Sequence, residues 1–284
     1  MTTKVASVDE VVAAVDDGSH VALTGFAITR NAVAVAHPLI RAGRRRLRMS
    51  QVIAGMETDL LAAAGCVERI TYSGGSLDRF GQLSGVNRGI TSGSIVANEY
   101  SSLALTLRFH AAALGLPYLP ARTMLGSDLL EPLLGSGDVR MAEDPFEGGT
   151  VVELSPLQPD VTFVHANVAD ELGNAQVSGP TWALRDTALA ARTVVVTCEE
   201  LVPVGTIDPD QVMLPAVVVH AVAVVPRGAH PTAVHKCYDY DRGHLQEYVQ
   251  AARESDEAHR EYLDKYVYGV DDYAGYLDLV GQGR

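Results

Sequence analysis

Residues 21–26, Val-Ala-Leu-Thr-Gly-Phe, decide the fold, because an apolar strand-like run passes directly into a glycine turn. Residues 31–40 then resume an alanine-rich pattern with helical spacing. The same order recurs as residues 47–53 lead to Gly55 and as residues 67–72 lead to a pair of glycines. This regular alternation of strands and helices predicts an α/β fold with an open, mostly parallel sheet and helices on both faces.

The rest of the chain continues the alternation. Residues 94–99 predict a strand, and residues 102–113 predict a helix that glycine and proline then end. Three uninterrupted apolar runs predict strands buried on both faces, at residues 161–166, 193–197 and 216–225.

Two segments depart from this pattern. Residues 124–150 are rich in glycine and have no strong period, which predicts an excursion over the surface that could serve as a lid. The residues from about 238 to 284 are charged, rich in tyrosine and predict a helical tail. We therefore expect one domain over residues 1–284, with the excursion and the tail as parts of it.

Composition narrows the functional class. The chain has 284 residues, of which 47% are hydrophobic, so it can bury a large core. Its net charge of −13 argues against a nucleic-acid or anionic-membrane partner, since such partners are bound by clustered Lys and Arg. The three cysteines show no metal-ligand spacing, and no apolar run has the length of a membrane span or a signal peptide. We expect a metal-free cytoplasmic protein.

Three glycine turns follow predicted strands and form the first candidate site: Thr24-Gly25-Phe26, Ala54-Gly55-Met56 and Ser73-Gly74-Gly75. Glycine lets a ligand approach backbone N–H groups closely, and parallel strands present such turns at one sheet edge. Together the turns predict a site for an anion or an acyl oxygen, although a strand-to-helix turn also needs glycine for geometry alone. The nucleotide-binding patterns G-x-G-x-x-G and G-x-x-x-x-G-K-[ST] are missing from the sequence.

Glu99 ends a predicted strand and is followed by Tyr100, Ser101 and Ser102, where the next helix begins. One reading is structural, with Ser101 or Ser102 capping the helix and Glu99 in solvent. The other is functional, with a serine donating a hydrogen bond to a thioester oxygen and Glu99 acting as a base or shaping a cleft. No G-x-S-x-G elbow or Ser, His and acid set is recognisable, so the chain shows no nucleophile of its own.

Residues 16–26 resemble the N-terminal signature of the A subunits of family I coenzyme A transferases, in which an Asp-Gly pair precedes an apolar strand and a glycine turn. Further pieces resemble the same subunits in the same order: residues 64–67, Tyr72-Ser73-Gly74-Gly75, Glu99-Tyr100-Ser101, residues 111–120 and Arg122. Residues 169–175 and 262–267 are similar to the glutaconate-type branch. The resemblance covers almost the whole chain.

The resemblance implies the coenzyme A transferase type of α/β fold and an obligate B subunit, in a heterodimer or a larger assembly. It also implies that coenzyme A is a substrate and that no cofactor is permanently bound. In this family a glutamate on the B subunit is the nucleophile toward an acyl-CoA thioester, and CoA then passes through an enzyme-bound glutamyl thioester to a second carboxylate. The A subunit supplies one wall of the cleft.

The resemblance also implies which residues form that wall. Ser102 corresponds to the polar contact with the thioester oxygen. The nucleophile role of the family is not transferred to Glu99, which we expect to be a supporting catalytic residue beside Ser102. The substrate-binding residues implied are Thr24, Gly25, Phe26, Gly55, Met56, Ser73, Gly74, Gly75 and Arg122. Two departures bear on specificity: Ser102 stands where some relatives carry glutamine or glutamate, and Thr24 replaces the first glycine of the signature.

Three other functions stay open at this stage. A related branch of hydrolases opens the ring of a cyclic keto acyl-CoA with water and carries a functional glutamate near the position of Ser102; here Glu99 is three residues away. A subunit that binds acyl-CoA without catalysis is the second, and a sugar-phosphate isomerase of similar architecture is the third. The isomerase is disfavoured because the sequence has no obvious basic phosphate clamp.

Overall fold

The structure, a computed structural model, describes residues 2–282. Its strands are β1 (His20–Leu23), β2 (Leu47–Gln51), β3 (Val67–Tyr72), β4 (Val96–Glu99), β5 (Leu119–Ala121), β6 (Val139–Glu143), β7 (Thr150–Leu154), β8 (Val161–Asp170), β9 (Ala175–Gln176), β10 (Thr193–Val202) and β11 (Ala221–Val224). Its α-helices are α1 (Val8–Ala13), α2 (Val33–Arg41), α3 (Met56–Ala63), α4 (Ser84–Ser92), α5 (Ser102–Ala113), α6 (Leu130–Leu134), α7 (Leu184–Ala190), α8 (Arg242–Glu254), α9 (Asp256–Leu263) and α10 (Tyr273–Leu279).

The main sheet has the order β11-β10-β8-β1-β2-β3-β4, and neighbours along it are parallel. Among residues 2–282 only the short β9 adds an antiparallel pair to this sheet, with β8. Parallel pairing follows from the helical crossovers between successive strands. All the strands of this path therefore end at the same edge, and the predicted open α/β sheet is confirmed.

Helices cover the sheet because their apolar faces need burial. Almost every residue of α2 is buried, and α5 buries Ala104, Leu105 and Phe109. The C-terminal helices predicted from about residue 238 are present as α8, α9 and α10. Their tyrosines pack on the core, where Tyr276 of α10 lies edge-on against His37 of α2 with ring centroids 4.7 Å apart.

A second, smaller sheet was not predicted from the sequence. It has three antiparallel strands in the order β5-β7-β6. The segment 124–150, expected as an excursion without regular structure, contributes α6 and β6 to this region. Leu130, Leu133 and Val139 are buried in one cluster with Phe109 of α5. Apolar residues in this segment thus anchor it to the main body.

The strand predicted over residues 216–225 is too long: only Ala221–Val224 pairs, on the edge of the sheet. The preceding residues turn instead, and the Val218 N–H donates to the Pro215 carbonyl at 3.0 Å. In the described part of the chain no helix is long and apolar enough to cross a membrane; a cytoplasmic location stays a prediction.

Candidate active site

The three glycine turns lie side by side at the carboxyl edge of the main sheet. Phe26 of the first turn pairs with Ile53, and Ala54 of the second pairs with Gly75 of the third. The Ala54 N–H donates to the Gly74 carbonyl at 3.0 Å. The turns therefore form one continuous rim beyond β1, β2 and β3, which is the edge where open α/β sheets bind ligands.

Two of these glycines are required by close packing. A Cβ on Gly25 would lie 2.3 Å from Nδ2 of Asn31, and one on Gly55 would lie 2.4 Å from the same atom. Asn31 is fully buried, so it cannot move into solvent to make room. In the third turn Gly75 is also closely packed, since its Cβ would lie 2.6 Å from Leu83, while Gly74 has φ +108, a value that L side chains rarely adopt.

A buried polar layer, not predicted from the sequence, lies beneath the rim. Nε2 of Gln51 donates to Oε1 of Glu57 at 2.9 Å and to the Gly25 carbonyl at 3.0 Å. Thr58 donates its hydroxyl to Oε1 of Gln51 at 2.6 Å. Burial raises the pKa of Glu57 to about 7, although nearby amide donors oppose the shift. The only sequence signal was the set of polar residues at the start of α3, directly after Gly55-Met56.

Ser73 and Ser102 face each other across the rim, with their hydroxyl oxygens 2.9 Å apart. Ser73 also donates to the Val52 carbonyl at 2.6 Å, so its single proton is committed and Ser102 donates to Ser73. Both residues are half-buried. Ser102 thus presents a hydroxyl at the rim from the first turn of α5.

Ser101 takes the structural role that the sequence left open between it and Ser102. Its side chain accepts a hydrogen bond from the Ala104 N–H at 3.1 Å and caps α5. Its hydroxyl also lies 2.6 Å from that of Thr123. Capping by Ser101 leaves Ser102 free to turn toward the third glycine turn.

Glu99 is exposed at the end of β4, beside the same rim. In the register of the parallel strands it pairs with Tyr72, the last residue of β3. Burial and the charge of Glu99 together raise the pKa of Tyr72. Glu99 is therefore within electrostatic reach of the residue that precedes Ser73.

The remaining predicted site residues fall into different places. Phe26 is half-buried on the rim, whereas Thr24 is buried and donates its hydroxyl to the Phe163 carbonyl at 3.3 Å. Met56 is 1% exposed and lies below the rim. Arg122 is exposed and forms ion pairs with Asp144 and Glu147, both at 2.8 Å. It directly precedes Thr123 and so lies close to the start of α5.

A cavity of about 720 Å³ exists at the opposite edge of the sheet, lined by α1 and by the starts of β8 and β10. We do not assign the chemistry to it, because the hydroxyl pair and the glycine turns lie at the other edge. The rim offers hydroxyl groups, close backbone approaches and a carboxylate. Among residues 2–282 no cluster of three or more His, Cys, Asp and Glu side chains could hold a metal ion.

Known proteins of similar sequence and structure point to one family. The family model described as coenzyme A transferase matches residues 5–224. The chain is 30% identical to the A subunit of glutaconate CoA-transferase from Acidaminococcus fermentans, over 97% of this chain and 91% of that protein. A chain in the crystal structure of that enzyme superposes with a TM-score of 0.92, at 29% identity, over 98% of this chain and 93% of that one.

Two further relatives also match, and one of them is a subunit of a hydrolase. An uncharacterised protein of Archaeoglobus fulgidus is 36% identical over the whole of this chain, which spans 64% of the length of that protein. The cholesterol ring-cleaving hydrolase IpdA subunit of Mycobacterium tuberculosis is 28% identical over the full length of both. The resemblance read from the sequence is confirmed: this chain belongs to the coenzyme A transferase family.

Proposed function

We propose that the chain is the A subunit of a heteromeric CoA transferase, which moves CoA from an acyl-CoA to a carboxylic acid. The observation that carries the proposal is the Ser73 and Ser102 hydroxyl pair on a rim of glycine turns. The pair lies in a chain that matches the A subunit of a glutaconate CoA-transferase along nearly its whole length. The acceptor would be a carboxylic acid, with dicarboxylic and keto acids included.

In this proposal the nucleophile comes from the B subunit. Its glutamate oxygen attacks the thioester carbonyl carbon, the C–S bond breaks, and CoA leaves as a thiolate. The first step leaves a mixed anhydride between the acyl group and the glutamate. The CoA thiolate then attacks the glutamyl carbonyl of this anhydride, which forms the glutamyl thioester and releases the acyl group as a carboxylate. The acceptor carboxylate then attacks the glutamyl thioester and forms a new anhydride with the glutamate. CoA attacks the acceptor's carbonyl in this anhydride, which releases the new acyl-CoA and frees the glutamate.

The A subunit would stabilise the negative charge that develops on the thioester oxygen. The Ser102 hydroxyl, which donates to Ser73 in the free chain, can rotate toward that oxygen without breaking a backbone contact. A donor placed in advance at such an oxygen contributes more to the transition state than to the bound substrate. Gly74, beside which a Cβ would meet nothing within 4 Å, would admit the substrate close to the backbone, whereas Gly25, Gly55 and Gly75 would hold the rim together by close packing.

Charged residues at the edge of this region would set substrate preference. Arg122 would bind a carboxylate of the substrate in exchange for Asp144 and Glu147. Glu99 would shape the cleft as an exposed carboxylate next to Tyr72. Three residues have other roles at the first and second turns: Phe26 would supply an apolar contact, while Thr24 and Met56 would support the turns from below.

A second candidate function is hydrolysis of a cyclic keto acyl-CoA. The exposed carboxylate of Glu99, three residues before Ser102, favours it, as does full-length similarity to a ring-cleaving hydrolase subunit. In that case Glu99 would act as a general base on water. A subunit that binds acyl-CoA without turnover is the non-enzymatic alternative.

A steady-state assay distinguishes these functions. The chain would be purified together with its cognate B subunit. The complex would then be supplied with acyl-CoAs, each with and without an added carboxylic acid. A transferase consumes the acyl-CoA only with the acceptor and forms a new thioester, whereas a hydrolase reacts with water alone. A complex that binds acyl-CoA but changes none of it supports the non-catalytic alternative.

A further inference from the structure

The segment that carries the first glycine turn is conformationally strained. Ala27 has φ 51 and Arg30 has φ 57, both in the left-handed region that residues with a side chain rarely adopt. Such conformations persist only where neighbouring structure holds them. A specific restraint on this segment is therefore expected.

The buried polar layer supplies contacts to both the first and the second turn. Gln51, at the end of β2, holds the Gly25 carbonyl with the same Nε2 that donates to Glu57 of α3. Asn31 accepts a hydrogen bond from the Met56 N–H at 3.4 Å and packs against Gly25 and Gly55. The two turns are thereby tied to α3 through side chains without solvent exposure.

We propose that Glu57 is a positioning residue, which fixes the side-chain amide of Gln51 and through it the backbone of the first and second glycine turns. Glu57 is fully buried beneath the turns and would not contact the substrate itself. It acts as the hydrogen-bond acceptor that keeps Gln51 oriented toward the Gly25 carbonyl. The inference rests on the proposed function and deepens it, since the positioned backbone is the wall of the proposed transferase site.

The acceptor role does not depend on a permanent charge. A protonated carboxyl group retains a carbonyl oxygen that accepts from Gln51, as does the side-chain amide of glutamine. The charged group that faces Glu57 is Arg30, itself buried. Replacement by glutamine keeps the oxygen that accepts from Gln51 and is expected to preserve positioning, with a cost in stability from the lost charge opposite Arg30. Replacement by an apolar residue of similar length should destroy the positioning.

Hydrogen exchange measured by mass spectrometry tests this without any need for turnover. In Glu57→Met the backbone amides of residues 24–29 and 52–56 should exchange about tenfold faster or more, because an unmet buried donor weakens the local structure. In Glu57→Gln they should exchange within about threefold of wild type. Thr58→Val, which removes the hydroxyl that holds Gln51, should shift exchange in the same direction by a smaller factor.

Asp59 provides the matched control on the same helix. It is equally buried, but it accepts from the Val86 N–H and the Tyr248 hydroxyl, away from the turns. Asp59→Leu should accelerate exchange near residue 86 and leave residues 24–29 unchanged. Equal acceleration of the turns by Asp59→Leu, or no acceleration by Glu57→Met and Thr58→Val, would overturn the proposal.

Kinetics then separate positioning from simple instability. In an active complex, Glu57→Met should lower kcat about tenfold or more with a smaller change in KM, and Glu57→Gln should restore kcat. A loss of kcat in Glu57→Gln equal to that in Glu57→Met would contradict the acceptor role. A wild-type complex without transferase activity would defeat the proposed function, while the exchange results would still decide the role of Glu57.

Discussion

The hydroxyl oxygens of Ser73 and Ser102 lie 2.9 Å apart, one directly after β3 and the other in the first turn of α5. The two residues are 29 positions apart in the chain, and the strand order β2-β3-β4 brings them together. Because Ser73 donates its proton to the Val52 carbonyl, Ser102 is the member of the pair whose proton can be redirected.

Ser102→Ala should lower kcat of the complex by about 10²-fold, the effect typical of removing one donor to a developing oxyanion. Its melting temperature should change little. Ser101→Ala is the matched control, since it removes the cap of α5 and should cost about 1 kcal/mol of stability while kcat is kept. Unchanged turnover in Ser102→Ala would refute the assigned role.

Gly55→Ala should destabilise the chain by roughly 1–3 kcal/mol, because the new Cβ would lie 2.4 Å from atoms of Ala27 and Asn31. Gly135→Ala is the control, since its Cβ would meet nothing within 4 Å and its backbone is helical. Denaturant unfolding of both variants measures the difference. Equal stability of the two would show that the rim is not as tightly packed as described.

We expect acid to destabilise the packing of the C-terminal helices on the rest of the fold. Burial lowers the pKa of His37 to about 3 and that of His244 to about 4, from an ordinary value of 6.5. Both are therefore neutral in the fold near neutral pH and take up protons more readily when unfolded. The stability that the two neutral histidines contribute is fully present above pH 6.5. It is lost as the pH falls toward their pKa values in the folded protein, by roughly 1.4 kcal/mol per pH unit for each histidine.

His37→Phe should flatten this loss between pH 6.5 and about pH 5, since phenylalanine keeps the edge-on contacts with Tyr273 and Tyr276 and takes up no proton. His235→Gln, at an exposed position, is the control. Thermal melts across the pH range provide the measurement. A wild-type acid slope that persists in His37→Phe would rule out a contribution from this histidine.

Glu99→Gln distinguishes transfer from hydrolysis. If the nucleophile belongs to the B subunit, the variant should retain transfer within about tenfold of wild type. A general base on water typically contributes about 10²–10⁴-fold, so a loss of that size in thioester hydrolysis would favour the hydrolase. Parallel assays with and without the acceptor acid supply both rates.

The parts of the fold that could be predicted have strong local patterns. The bounds of β3 and α5 agree with the strand expected over residues 67–72 and with the helix expected from Ser102. Since parallel strands end at one edge, the meeting of the three glycine turns also followed from their order. The smaller sheet was not predicted because its strands are short and separated by glycine-rich turns. The helix α4 was not predicted because Gly85, Gly89 and several serines weaken its helical pattern.

The buried layer under the rim could not be predicted in the same way. Gln51 and Glu57 are six residues apart and belong to a strand and a helix, so their contact depends on how the intervening turn folds. The sequence also could not distinguish Ser101 from Ser102 as the cap, because both residue types suit that role.

The most direct test of the proposed function is the intact mass of each chain after the purified complex has reacted with an acyl-CoA. We predict a covalent CoA adduct only on the B subunit, which disappears when the acceptor acid is added. Ser102→Ala should slow its appearance. Consumption of thioester with no adduct on either chain, or an adduct on the chain that carries Ser102, would contradict the proposed division of roles.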